Sequence, residues 1–324
     1  MQNKRYPRIY IWSKNELAKR ISHSKFSKVE ALARINDAVQ NFNNHWKDNQ
    51  FESRPEKDKY VRTAKNTSLG KLLDSINRMV LAPHDKMLPG FIFGGVNGLS
   101  HIAAAEYLLG SKRRRVALKM DIKRFFEQIS HERVYQFFLT RCECSKKASK
   151  LLADLCCVPI GPKGSTDPRK TIARGFATSS RLAVWCNLDT FIKLEHLVKK
   201  RFKGRNPRIA IYVDDIGITA TGLTKEEMWT FSIEVQELLG NNDVNQKLPV
   251  NEAKTCVTSH DEGIEHLGVE LKRNKLGIGI KTKSKMSKAK IKLRGNISVE
   301  QRKQIQDKLQ AMHNYKRYVE NGNH

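Results

Sequence analysis

Arg208–Ala220 reads RIAIYVDDIGITA. Ile209-Ala210-Ile211-Tyr212-Val213 on one side and Ile216-Gly217-Ile218-Thr219 on the other have the β-branched, apolar chemistry of strands. Asp214 and Asp215 stand between them, so the stretch reads as a β-hairpin with two carboxylates at its tip. Two like charges side by side are costly unless a cation neutralises them. A divalent metal does so, because Mg²⁺ takes hard oxygen ligands and binds one or two carboxylates together with substrate phosphates. The bland alternative is an ordinary Asp-rich turn.

A third carboxylate lies at the end of another strand, Val116-Ala117-Leu118-Lys119-Met120-Asp121-Ile122. Two strands side by side would bring Asp121 to Asp214 and Asp215. Three carboxylates around two Mg²⁺ ions suit in-line phosphoryl transfer, in which the ions clamp the attacking and leaving oxygens. Against this stands a helix N-cap role for Asp121.

Composition supports a polyanionic partner. Lys and Arg number 60 against 33 Asp and Glu, a formal charge of +27, which points to nucleic acid or an anionic membrane. No apolar run approaches the roughly 18 residues of a membrane span, and MQNKRYPRIYIWSKNELAKR at the N-terminus has no apolar core before a cleavage site. A cytoplasmic location without membrane contact is the resulting expectation. Cys142, Cys144, Cys156, Cys157, Cys186 and Cys256 lack zinc-site spacing, which leaves reduced structural thiols.

Helices are expected at Asn15–Ile21, Lys28–Asn44, Leu69–Val80, Ser100–Leu109, His131–Thr140, Lys146–Cys157, Thr178–Lys199, Lys225–Asn241 and Val299–Val319. A short hairpin is expected within Lys47–Lys65, a loop at Pro159–Lys170, an extended segment at Val250–Ser259 and another hairpin at Ile264–Ile280. Ser111-Lys112-Arg113-Arg114-Arg115 forms a basic turn. Strands alternating with helices, together with hairpins, imply an α+β fold. Leu271–Gly295 holds ten basic residues and no acidic one, which fits a surface on phosphates or a merely solvated face.

MDIKRFFEQIS (Met120–Ser130) resembles the first palm motif of reverse transcriptases, and IYVDD (Ile211–Asp215) resembles their Tyr-x-Asp-Asp box. IARGFATSSRLAVWCNLD (Ile172–Asp189) resembles the intervening segment usually written Leu-Pro-Gln-Gly-x-x-x-Ser-Pro-x-Leu-x-Asn. NEAKTCVTS (Asn251–Ser259) resembles the Asn-x-x-Lys-Thr motif that follows. EHLGVELKRNKLGIGIK (Glu265–Lys281) and KLQAMHNYKRYVE (Lys308–Glu320) are similar to the primer-grip hairpin and thumb of bacterial retron-type enzymes. GGVNGLSHIAAAE (Gly94–Glu106) looks like the motif before the first palm strand. These matches fall in the right order over residues 50–320.

The resemblance implies a right hand: an N-terminal helical region and fingers over residues 1–110, a palm with an antiparallel sheet over 111–270, and a helical thumb over 271–324. It implies an RNA-directed DNA polymerase of retron-like or defence-associated type, working with Mg²⁺, dNTPs and a cognate non-coding RNA template, making a DNA product and serving in antiphage defence with a possible effector protein. The chain is too short for an added maturase, endonuclease or RNase H region, which argues for the compact type. Asp121, Asp214 and Asp215 match the metal-binding triad, with the Ile122 carbonyl as a further ligand. Phe126, five residues past Asp121, matches the aromatic that excludes a 2′-hydroxyl, although a packed core Phe is the plain alternative. Lys254 matches the lysine beside the leaving pyrophosphate, a general acid, or is a plain surface lysine. Gly175 matches the glycine where backbone approaches the nucleotide. Lys59 or Arg62 is expected to meet phosphate, as are Lys283, Lys285, Lys288 and Lys290.

The departures are as informative. Ala173-Arg174-Gly175 stands where the family has Pro-Gln-Gly, so Arg174 brings a permanent charge and a rigid fork to a position that carries a neutral amide, for grip on a triphosphate or a template. Ser180 replaces a proline. His266-Leu267-Gly268 replaces the retron Val-Thr-Gly, which bears on retron-type 2′-hydroxyl priming. The fingers motif Arg-x-Ile-x-x-Pro is blurred in KYVRTAKNTSLGKLL (Lys59–Leu73). Two alternatives remain: a template-independent or RNA-synthesising polymerase of the same fold, and a non-catalytic RNA-binding palm.

Overall fold

The computed structural model describes residues 6–110, 114–241, 243 and 247–321. Its centre is a four-stranded antiparallel sheet in the order Arg208–Tyr212, Asp215–Thr221, Arg115–Asp121, Cys256–Ser259. Strand alternation sorts its two faces by size. Val116, Leu118, Met120, Ile209, Ile211, Ile216 and Ile218 enter the main core, which the helices Leu188–Arg201 and Lys225–Asn241 help to cover. Ala117 and Ala210 point the other way, into a second cluster against the helix His101–Leu109. Small residues there let that helix lie close to the sheet.

The helix His101–Leu109 also belongs to the C-terminal unit. Ile264–His266, Val269–Leu271 and Leu276–Ile278 form a three-stranded antiparallel sheet, one strand more than the expected hairpin. Their apolar residues, with Met286 and Val319 from the helices Ile280–Arg294 and Val299–Asn321, close on Ile102, Ala105 and Leu108. His101 Nε2 and the Tyr315 hydroxyl lie 2.9 Å apart, tying the last helix to this one.

The N-terminal helices Lys14–Ile21, Lys28–Gln40 and Ser68–Ser75 start where their sequences supply caps. Ser13, Ser27 and Thr67 each accept a backbone N–H with the side-chain oxygen, and Ser27 with Glu30 forms a capping box. Several expected helices differ; the one expected at Lys28–Asn44 ends at Gln40. The helices expected at Leu69–Val80 and His131–Thr140 end in wider π turns at Ile76–Leu81 and Phe137–Arg141. Thr178–Lys199 is two helices, Ser179–Cys186 and Leu188–Arg201, broken at Asn187, whose side chain donates to the Ala183 carbonyl at 2.8 Å. That amide competes with the backbone for an acceptor, as Asn does inside helices. The loop Pro159–Lys170 is closed by pairing of Cys157–Pro159 with Lys170–Ile172, and Lys47–Asp48 pairs with Arg62–Thr63.

Mixed helices and antiparallel sheet make this an α+β fold. Among the described residues no helix is long and apolar enough to cross a membrane. The six cysteines are free thiols; five are buried, and burial pushes Cys156 and Cys186 up to about 12. Within the basic turn, residues 111–113 lie outside the described residues. Arg115 is buried and donates to the carbonyls of Leu109 and Asn206.

Candidate active site

The hairpin of the opening stretch turns through Val213 and Asp214, with Tyr212 paired to Asp215. Val213 has φ of 59°, a left-handed conformation that is a true outlier for a β-branched residue and that persists only where surroundings enforce it. The surroundings are Phe91–Gly94. Phe93 and Gly94 both donate to the Ile211 carbonyl, and Ile211 donates to Phe91. Gly94 lies so close to the turn that a Cβ would run into the backbone of Tyr212 and Val213.

Asp121 sits directly opposite Asp215 in the register of the two central strands. The Ile122 N–H donates to the Asp214 carbonyl at 2.9 Å, and the Asn251 N–H donates to the Asp121 carbonyl at 2.8 Å. Three backbone segments are thereby locked around one end of the sheet. Asp121 is nearly buried, and the Lys254 ammonium lies 3.0 and 2.9 Å from its two carboxylate oxygens. Burial, and then the Asp121 charge, hold the Asp214 carboxyl above its usual range. Burial and the neighbouring Asp214 push Asp215 up to about 6. Burial and mutual repulsion thus both act against ionisation of this carboxylate pair.

Asp121, Ile122, Asp214 and Lys254 line a cleft of about 310 Å³ together with Lys59, Arg174 and Glu127. Among the described residues no three carboxylate, imidazole or thiol groups converge as in a preformed metal cage. The donor set still fits Mg²⁺, which needs only one or two protein carboxylates when substrate phosphates complete its shell. Ile122, whose N–H is bonded to the Asp214 carbonyl, lines the same cleft.

Several expected contacts take a different form. Arg62 is only 4% exposed, and its guanidinium pairs with Asp48 and donates to the Gly161 carbonyl, so it braces two loops instead of meeting phosphate. Gly175, at φ of 99°, is approached by the Arg62 backbone, where a Cβ would collide with the Arg62 carbonyl. Its missing side chain makes room for protein. Phe126 is buried, and the Arg174 guanidinium lies 4.7 Å from its ring centre. Arg174 is gripped by Glu127 through two hydrogen bonds. Lys59 is exposed on the rim of the cleft. Lys283, Lys285, Lys288 and Lys290 are exposed along the helix Ile280–Arg294, and Lys283 also pairs with Glu270 at 2.8 Å.

Glu127 and Asn251 escaped the sequence reading. Glu127 follows directly on the Phe pair and is the only acidic residue in Met120–Ser130 besides Asp121. An unexpected Arg at 174 was the signal that a buried acid should be sought. Arg181 and Asp85 form another buried pair, at 2.7 and 2.8 Å, that fixes the helix Ser179–Cys186 to residues 82–87.

Residues 31–271 match the family described as reverse transcriptase (RNA-dependent DNA polymerase). The chain belongs to that family. The reverse transcriptase domain spans most of the chain and contains all three aspartates and Lys254, and its α+β polymerase fold is the right-hand fold of the family. Reverse transcriptase domains use divalent metal, usually Mg²⁺. Among solved structures, a telomerase from Candida albicans, solved with a fragment of telomeric RNA, is similar at 11% identity and a TM-score of 0.39. The match covers 65% of this chain and 40% of the telomerase chain. No curated protein matches.

Proposed function

We propose that the protein is an RNA-directed DNA polymerase that copies a cognate RNA into DNA by nucleotidyl transfer between two Mg²⁺ ions. The observation that carries this reading is the cross-strand pair Asp121–Asp215 at the end of a sheet, with Asp214 beside it and with Asp121 and Asp214 lining a cleft that also holds Lys59, Lys123 and Lys254; Asp215 is not among that lining. A cation among such a cluster favours its ionised form. Asp121, Asp214 and Asp215 would hold the metal, with the Ile122 carbonyl as a fourth oxygen. When bound, the metal would lower the pKa of the primer hydroxyl and neutralise the triphosphate.

The protein's own groups do the rest. Asn251 fixes the Asp121 backbone, so the carboxylate keeps its place at the strand end. Lys254 neutralises Asp121 in the absence of metal and stands ready to protonate a departing pyrophosphate. Lys59, Lys123 and Lys254 give the cleft walls positive charge that draws a triphosphate in. In this reading residues 1–110 are fingers, 111–270 palm and 271–324 thumb, with Lys283, Lys285, Lys288 and Lys290 facing the template–primer duplex.

The ordered motifs that resemble retron-type enzymes support a compact retron-like enzyme, cytoplasmic and engaged in antiphage defence with a non-coding RNA and an effector protein. Arg174 favours a second reading, a template-independent polymerase, because a fixed cation replaces the neutral amide of template-copying relatives. The third reading, a non-catalytic RNA-binding palm, has the three retained carboxylates against it.

Asp214→Asn combined with Asp215→Asn tests the reading. Mg²⁺-dependent dNTP incorporation on a primed RNA is expected to fall by more than about a thousand-fold, while RNA binding persists. A double variant that still extends a primer would refute the site. Incorporation without any template would select the second reading.

A further inference from the structure

Arg174 is the one cleft residue whose chemistry departs sharply from its family, and its surroundings restrict what it can do. Its Nε donates to Glu127 Oε1 at 3.2 Å and its Nη2 to Glu127 Oε2 at 3.0 Å. Both side chains are largely buried, at 15% and 17% exposure, where a bidentate ion pair is much stronger than on an open surface. The Cζ of the same guanidinium lies over the Phe126 ring, 4.7 Å from its centre. No atom of the described residues accepts from Nη1, and Arg174 lines the cleft of Asp121, Asp214 and Lys254.

This geometry disfavours a grip on triphosphate. Phosphate oxygens drawn to Arg174 would also approach the Glu127 carboxylate, and the fork that phosphate prefers is already engaged. The free Nη1 edge instead suits a neutral oxygen acceptor, such as a sugar oxygen. A guanidinium fixed on two sides, by a carboxylate and an aromatic face, is also a rigid wall.

We infer that Glu127 is a positioning residue that pins Arg174 across Phe126, so that the surface meeting the sugar of an incoming nucleotide is the guanidinium–ring stack and not the bare ring. The inference rests on the polymerase reading. In it, deoxyribonucleotide selection depends on the pin: the stack leaves no room for a 2′-hydroxyl only while Glu127 holds the guanidinium flat. Phe126 serves as the shelf beneath it.

The experiment compares kcat/KM for dATP and ATP on one primed RNA with Mg²⁺, in the parent, Glu127→Gln, Arg174→Gln and the double variant. Each single change is expected to lower the dATP preference by about ten-fold or more, and the double change to lower it no further, because both remove one device. Glu127→Asp, which keeps the charge but shortens the reach, is expected to fall between, and it carries the test if Glu127→Gln does not fold. An exchanged pair, Glu127→Arg with Arg174→Glu, should recover melting temperature without recovering preference, which a purely structural ion pair would not do. Unchanged preference in the folded single variants, or independent additive losses, would overturn the inference. If the parent incorporates no nucleotide, the polymerase reading fails separately, and equilibrium binding of dATP against ATP decides the pin by the same pattern.

Discussion

The Lys254 ammonium spans both carboxylate oxygens of Asp121, at 3.0 and 2.9 Å. It stands on the oxygens that a divalent ion would use, so lysine and metal compete for one carboxylate. Lys254→Gln is therefore expected to lower the Mg²⁺ concentration needed for half-maximal dNTP incorporation. Its kcat should nevertheless drop by roughly a hundred-fold or more, from loss of the proton donor. A Mg²⁺ titration of primer extension reads both. Because Lys254 is 60% exposed, stability should change little.

Gly94→Ala is expected to cost roughly 2 kcal/mol or more, because the new methyl meets the fixed backbone of Tyr212 and Val213 with nothing free to shift. Polymerase activity should fall further than stability does, since the same backbone carries Asp214 and Asp215. Denaturant midpoints and incorporation rates at a temperature where the variant is fully folded separate the two effects.

His266 sets a pH dependence. It is buried against Gly217, and burial, then the charges of Lys119 and His101, lower it to about 3 from 6.5. Below pH 6.5 the unfolded chain takes up a proton that the folded protein refuses. The contribution of this group to stability is thus complete above 6.5 and is lost as pH falls towards 3. The slope is up to about 1.4 kcal/mol per pH unit. His266→Leu should flatten the stability profile between pH 6.5 and 5 relative to the parent, measured by denaturant unfolding. Equal acid losses in both proteins would exclude His266 as the source.

Changing Lys283, Lys285, Lys288 and Lys290 together to Gln should weaken RNA binding at physiological salt and make its log–log salt dependence shallower. Each lysine on a phosphate contributes roughly 0.7–0.9 of slope. Lys283 is shared with Glu270, so about two to three units in all are expected. The fold should survive, because Gln keeps a long stem and similar helix propensity. Identical slopes would make this run a solvated face.

The hairpin and the Asp121 strand were legible because their chemistry is local: alternating β-branched residues on either side of a carboxylate pair. Ser13, Ser27 and Thr67 cap their helices equally locally, although the helices were expected from their apolar periodicity and not from these caps. What lay beyond the sequence were pairings between distant segments. Nothing near Arg62 tells that Asp48 and the Gly161 carbonyl will enclose it, and a surface role was the natural reading of a basic residue in a charged stretch. Glu127 and Arg174 are 47 positions apart, and only the fold pairs them and sets Arg174 over Phe126. Gly175 was expected to let the backbone approach the nucleotide, and what lies against it in the fold is the Arg62 backbone. The break at Asn187 was hidden because apolar periodicity continues through it on both sides.

The last helix, Val299–Asn321, is held near its end. Tyr315 meets His101, and Val319 is its buried residue. Leu309 and Met312 pack on the same cluster, and from Leu309 back to Val299 the helix extends for about 15 Å at 1.5 Å per residue. It runs alongside the lysine-bearing helix Ile280–Arg294, and the two pack together. The pair has the proportions of a lever with its fulcrum on the helix His101–Leu109. A tilt of about 10° at the fulcrum sweeps the far tip through roughly 3 Å, close to the 3.4 Å between successive nucleotides of one strand. The patch of Leu309, Met312 and Val319 with the Tyr315–His101 contact thus sits where a small rotation becomes nearly a stride of one base.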